Sequence, residues 1–119
     1  MRFENLEIWK TSSELSAEVY ICLKSLKDFG FKDQITRSCL SVPSNIAEGI
    51  ERSTEQERYR FLSIARGSLA EFKTQALIGS KIGYIPSEKA LEWVKTAEKL
   101  AAMLSKFMLK LNSNANIID

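Results

Sequence analysis

The sequence predicts an all-α protein, an up-down-up-down antiparallel four-helix bundle, and three observations carry that expectation. Apolar residues recur at alternating three- and four-residue intervals through four long segments, which is the period of one face of a helix. The segments are joined by short connections, so successive helices lie side by side and run in opposite directions. Breakers are scarce, with two prolines and five glycines among 119 residues, while Ala, Leu, Lys and Glu, all good helix formers, are plentiful. One domain follows, a bundle over residues 1–111 with a polar, Asn-rich tail at 112–119 expected to fray. Folding a chain of this size buries roughly two-thirds of its unfolded surface, so neither a disulfide nor a metal is required.

The first helix is expected from about Leu6 to Lys27, on the stripe Ile8, Leu15, Val19, Cys22 and Leu26, widened by Trp9, Ala17, Tyr20 and Leu23. Gly30 supplies a stop, because glycine accepts the left-handed conformation after a helix end, and Phe29 and Phe31 beside it close the core. Asp33 is the candidate N-cap of a second helix, Gln34 to about Glu51, with the stripe Ile35, Cys39, Val42, Ile46 and Gly49. Pro43 sits in its middle, where a proline removes a backbone hydrogen bond and presses on the carbonyl four residues back, at about 3 kcal/mol or more. Two forms are open: a new helix starting at Pro43, or one continuous helix kinked there. The stripe passes through the proline without slipping, which favours the kink.

Ser53 with Gln56, or Thr54 with Glu57, has the spacing of a capping box and starts the third helix, about Glu55 to Ile82. Its stripe is Leu62, Ala65, Leu69, Phe72, Ala76 and Gly79. Gly83 ends it, with Tyr84 and Ile85 folding back. The fourth helix begins at Pro86-Ser87, with Ser87 as N-cap, and carries Leu91, Val94, Ala97, Ala101, Leu104, Met108 and Leu111.

Some residues are left over. Trp9, Tyr20, Ile21, Ile64, Ile78, Trp93, Leu100, Met103 and Phe107 exceed what one narrow core stripe uses. They either thicken the core or form a second buried face between subunits. The second helix also carries a small-polar stripe, Ser38, Ser41, Asn45, Glu48 and Arg52, matched on the third helix by Arg66-Gly67-Ser68 and Glu71. One account makes this a close-packed polar seam, with Asn45 and Glu48 satisfied around Ser68, Arg66 or Arg58; the other leaves these residues facing water.

Composition excludes more than it assigns. The chain has no histidine, which removes Ser-His-Asp and Cys-His nucleophiles, the usual zinc sites and the Glu-x-x-His pairs of di-iron bundles. Cys22 and Cys39, with no CxxC spacing, read as reduced core thiols. No apolar run approaches the ~20 residues of a membrane span, and Met1 to Asn5 lead into no signal-peptide core, so the expected location is cytoplasmic. The net charge of +2 is too small to mark a nucleic-acid binder by itself.

Three stretches together resemble a known family. They are Phe3-x-x-Leu6-x-x-Trp9; Ser41-Val42-Pro43-Ser44-Asn45-Ile46-Ala47-Glu48-Gly49; and Arg60-Phe61-Leu62-x-x-Ala65-Arg66-Gly67-Ser68-Leu69-x-Glu71. Their order and spacing are similar to those of the four-helix-bundle proteins encoded in 23S ribosomal RNA intervening sequences, a likeness running from Phe3 to about Leu111; Val42 stands where isoleucine is commoner. The resemblance implies a ring-like homopentamer with no established enzyme activity, similar to the nucleic-acid-associated accessory protein of diversity-generating retroelements. It assigns no cofactor and no metal.

The functional expectation is a non-enzymatic oligomeric adaptor associated with RNA. Arg37, Arg52, Arg58, Arg60, Arg66 and Lys73 are the candidate nucleic-acid contacts. The segment 51–85 holds six cations against four carboxylates, and assembly would multiply that small excess. Ser41, Pro43, Ser44, Asn45, Glu48, Gly49, Gly67, Ser68 and Glu71 form the candidate packing and assembly motif. The alternative is a ring-forming module that docks a partner protein without touching nucleic acid. A carboxylate or metal site on Glu14, Glu18, Glu48 and Glu71 is the least favoured reading, because no histidine accompanies them.

Overall fold

Four helices, α1 (Glu7–Cys22), α2 (Phe29–Ile50), α3 (Glu55–Lys81) and α4 (Ser87–Ile118), follow a single 3₁₀ turn at Phe3–Asn5. The computed structural model describes residues 2–118, with side chains over residues 2–111. α4 continues to Ile118, past the end expected at Leu111, and Asp119 of the expected tail lies outside the described residues. The helices form an antiparallel bundle of 50 × 22 × 19 Å. The pairing is explicit between α2 and α3, where Ser38 meets Gln75 and Ser41 meets Ser68. It is equally explicit between α3 and α4, where Arg66 meets Ser105 and Lys73 meets Glu98.

The core is the inward stripe of each helix. Val19, Ile35, Cys39, Val42, Ile46, Leu62, Ala65, Leu69, Phe72, Ala76, Leu100, Leu104 and Met108 are almost wholly buried. The Cys39 thiol is pushed up to about 12 by its burial, which keeps it in the unreactive protonated form at neutral pH.

The ends of the first two helices differ from expectation. α1 stops at Cys22 rather than Lys27, and the chain turns through Leu23, whose amide donates to the Val19 carbonyl at 3.1 Å. Leu23 is the buried member of the stripe, joined by Ser12, while Cys22 is exposed. Ser12 is tolerated because its hydroxyl donates to the Trp9 carbonyl at 3.1 Å. α2 begins five residues before Gln34, with Asp28 rather than Asp33 as its cap: the Phe31 amide donates to Asp28 Oδ1 at 3.1 Å. Gly30 thus lies in the first turn and stops nothing, and Asp33 pairs with Arg37 instead. Phe31 does pack on the core, edge-on to Tyr84, but Phe29 is exposed.

The Asp28 carboxylate also accepts the Tyr84 hydroxyl at 2.8 Å. The Phe31 amide, then the Tyr84 hydroxyl, hold the Asp28 carboxyl below the usual carboxylate range, and the same carboxylate raises Tyr84. A depressed carboxylate stabilises the fold above its unfolded pKa, about 3.9, and loses that contribution as the pH falls through the lower folded value. The raised phenol contributes below about 10 and loses its contribution as the pH rises. Tyr84→Phe is therefore expected to move the Asp28 pKa part of the way back up, read by NMR titration of its carboxyl carbon; an unmoved value would mean the contact contributes nothing.

α2 runs unbroken through Pro43, so no new helix begins there. The bend at Pro43 is an expectation from proline sterics; the observation is continuity. α3 starts as expected at its Thr54 cap, where the Glu57 amide donates to Thr54 Oγ1 at 3.1 Å. It ends in a Schellman turn: the Tyr84 amide donates to the Gly79 carbonyl at 2.8 Å and the Gly83 amide to Ser80 at 3.2 Å. Gly83 takes φ +81°, the left-handed geometry that favours glycine. On α4 the core stripe passes through Ala90, Trp93, Val94, Ala97 and Leu100; Leu91, expected inside, is exposed, and Ala101 is half-buried. Trp93 and Leu100 thicken the core, and Trp93 donates its indole N–H to Glu18 of α1. Tyr20, Ile21, Ile64 and Ile78 stay outside.

Candidate nucleic-acid interface and the polar seam

A polar seam does join α2 to α3, with different members from those the spacing selects. Ser38 Oγ donates to Gln75 Oε1 at 2.6 Å, and the Ser41 and Ser68 hydroxyls share a hydrogen bond at 2.9 Å. Asn45 donates to the Ser41 carbonyl at 2.8 Å and to its hydroxyl at 2.9 Å. The serines and Asn45 thereby find partners, as burial demands, while the Nε of Arg52, at the end of the stripe, is buried without one. Gln75, four and seven residues past Glu71 and Ser68, was not selected from sequence because a lone glutamine carries no pattern.

Glu48 is not in the seam. It is exposed and lies 3.7 Å from Arg52 one helical turn on. Glu71 and Ser44 are exposed as well. Gly67 does not approach α2, since a Cβ built there meets no atom within 4 Å. The close approach of the two helices occurs at Gly49, where a Cβ would lie 3.0 Å from Phe61 Cβ and 3.4 Å from the Arg58 carbonyl oxygen. The motif residues thus divide between an inner set (Ser41, Pro43, Asn45, Gly49, Ser68) and an outer set (Ser44, Glu48, Gly67, Glu71).

The candidate nucleic-acid contacts do not form one patch. Arg37 stands alone on α2, 3.0 Å from Asp33. Arg52, Arg58 and Arg60 gather at the corner between α2 and α3. There the guanidinium groups of Arg52 and Arg60 lie 4.8 and 5.0 Å from the Phe61 ring centre. Arg58 donates to the Arg52 carbonyl at 2.9 Å and to Glu55 at 2.8 Å. Between residues 48 and 60 those three arginines face four carboxylates, Glu48, Glu51, Glu55 and Glu57, so the corner has no cationic excess. Arg66 and Lys73 lie apart from it, facing α4, with Lys73 paired to Glu98 at 2.8 Å.

Unpaired cations lie elsewhere. Lys95, Lys99, Lys106 and Lys110 have no carboxylate within 4.0 Å among the described residues. At 100° per residue they fall within an arc of roughly 60° on the outer face of α4 and span about 22 Å along it. From Lys99 to Lys110 the chain has no acidic residue. The signal was present in the spacing of four, seven and four, but each lysine singly reads as the solvated face of a bundle helix.

The carboxylates Glu14 and Glu18 line a groove between α1 and α4 with Glu92 and Trp93, far from Glu48 on the α2–α3 side. Among the described residues, no three or more Cys, Asp or Glu side chains gather where they could hold a metal ion. No helix of the described residues is long and apolar enough to cross a membrane.

The comparisons agree with this architecture. No curated protein matches the chain. The crystal structure of a protein of unknown function from the S23 ribosomal protein family of Bacteroides thetaiotaomicron superposes with a TM-score of 0.81. It is 20% identical, and the match covers 85% of this chain and 97% of that one; at that identity it establishes the fold alone. The model of the 23S rRNA-intervening sequence protein family matches residues 4–106. With nearly the whole bundle matched, this chain belongs to the 23S rRNA-intervening sequence protein family.

Proposed function

We propose that the chain is a non-enzymatic, cytoplasmic adaptor that associates with RNA as an assembly of copies of itself, five by the resemblance already described. The observation that carries the RNA part is the line of unneutralised lysines on α4, Lys95, Lys99, Lys106 and Lys110. Lysines without carboxylate partners attract phosphates and release the counterions condensed on them, a sequence-independent contribution that grows with every copy in an assembly. Nothing in that face provides an aromatic platform for stacking bases, so the expected binding follows RNA shape and charge rather than sequence.

The test is fluorescence anisotropy with a structured RNA hairpin, over a salt series. The wild-type chain is expected to bind at low salt and weaken linearly in log–log coordinates. Replacing the four lysines by glutamine is expected to reduce the slope by about 3, from about 0.7 to 0.9 per phosphate contact. A flat wild-type binding curve at low salt would overturn the proposal.

A second reading is favoured by a separate observation. The groove between α1 and α2 exposes Tyr20, Ile21 and Leu40, more apolar surface in one place than a solvated helix face requires. A protein-interaction module without RNA would use it, and a complex that survives nuclease and high salt would support that reading.

A further inference from the structure

Among the described residues two apolar faces are uncovered, and they are different surfaces. The first is the groove between α1 and α2. Ala17, Tyr20 and Ile21 form one wall and Leu40 and Pro43 the other. Tyr20, Ile21 and Leu40 are 65%, 71% and 57% exposed. A second depression, lined by Tyr20, Lys24, Phe29, Lys32 and Asp33, continues it toward the start of α2. From Phe29 to Pro43 is fourteen residues of helix, about 21 Å.

The second face is a ridge on α3. Ile64 and Ile78 are 44% and 47% exposed. With Gly67 and Glu71 they fall within an arc of roughly 60° on the outer side of the helix. Ile64 to Ile78 is again fourteen residues, about 21 Å. Gly67 leaves the middle of the ridge low, with open space above its backbone. Arg66 and Lys73 turn away toward α4, so between the two isoleucines Glu71 is the charge the ridge presents, while Arg60 lies beyond its end, one turn before Ile64.

The two faces complement each other in length and in sign. The groove edge carries Lys24, Lys32 and Arg37 against the single carboxylate Asp33, while the ridge carries Glu71 between its isoleucines. We propose that the occupant of the α1–α2 groove is the α3 ridge of a second copy of this chain, with Glu71 directed at the basic groove edge. Groove and ridge belong to the same chain but not to the same surface, so the contact is head-to-tail. Every copy uses both faces, and the series of contacts closes into a ring or runs on. The inference rests on the assembly reading above and specifies which surfaces make the assembly.

Sedimentation velocity on the full chain and on two double variants tests it. The groove variant is Ile21→Glu with Leu40→Glu; the ridge variant is Ile64→Glu with Ile78→Glu. All four positions are exposed, so both variants are expected to keep the wild-type helical circular dichroism. Each is expected to be monomeric, with association at least about 100-fold weaker, because charged carboxylates replace the apolar side chains that the contact buries and must lose their water there. Mixed one to one, the two variants are expected to form a dimer, since the intact ridge of one fits the intact groove of the other. A monomeric wild type would overturn both this inference and the assembly reading. A wild type that assembles while either variant still assembles, or a mixture that stays monomeric, would overturn the inference alone.

Discussion

Phe72→Ala is expected to destabilise the bundle by about 3–5 kcal/mol. Phe72 is fully buried near the middle of α3. Its ring lies 6.1 Å from that of Trp93 on α4, the larger side chain of the two. Removing it opens a cavity between rigid helices, where neighbours relax only in part, so the lost transfer energy and the void add. Total stability for a domain of this kind is about 5–15 kcal/mol, so one substitution removes a large share. The measurement is chemical denaturation at fixed protein concentration, because self-association makes apparent stability depend on concentration. Phe72→Leu serves as the control, expected to cost clearly less because it retains most of the volume. A loss below about 1 kcal/mol for the alanine variant would contradict the packing described here.

Gly79→Val is the second large effect, expected at about 1–3 kcal/mol from overpacking. Gly79 is on the buried stripe of α3, at the end where α2 and the α3–α4 connection converge. A Cβ there would lie 2.5 Å from Ile85 Cδ1, 3.0 Å from Ile85 Cγ1 and 3.0 Å from Phe31 Cζ. Ile85 is itself buried, so its tip has little room to retreat. The Gly79 carbonyl receives the amides of both Tyr84 and Ile85, and any shift of Ile85 pulls on those bonds. Gly67→Val is the control: with nothing within 4 Å of its Cβ, it is expected to cost only the modest helix penalty of a β-branched residue, or less, since glycine is the poorer helix former. Equal losses at the two glycines would show that backbone freedom, not space, sets the cost at Gly79.

Helix identity was legible because it is written in short-range repeats. Every residue expected on the inward stripes of α2 and α3 is buried, joined by Ser38, Pro43 and Ile50 on α2 and by Ser68 on α3, since those helices are buried on a single well-defined face. The ends of α1 and α2 were not legible. Asp28 and Asp33 are both good caps by type, and the choice depends on Tyr84, fifty-six residues from Asp28 in sequence. The stripe on α4 holds at Val94, Ala97, Leu104, Met108 and Leu111 and fails at its start, because Leu91 and Trp93 are both apolar and two residues apart. Which one turns inward depends on where Phe72 and Glu18 stand. The seam was half legible: Ser41, Asn45 and Ser68 carry the small-polar spacing, whereas Gln75 and the close approach at Gly49 depend on how α2 and α3 cross.

The cationic sites show the same division. Residues 51–85 carry an excess of cations by composition, but Arg52 and Arg58 are engaged at the corner with Glu48 and Glu55, and Lys73 is held by Glu98. The spacing of the α4 lysines is written in the sequence, but their exposure and lack of partners are properties of neighbours.

By itself the sequence determined that this protein is four helices in one bundle, that it lacks histidine chemistry, and which family its motifs resemble. Those depend on residue type and on spacings within a few turns, where the helix period acts as a ruler. Only the tertiary structure decided which serines meet across the seam, where two backbones touch, which cations stay free and which apolar faces stay open. Each of those is a contact between residues tens of positions apart, and a one-dimensional repeat carries no information about what lies opposite it.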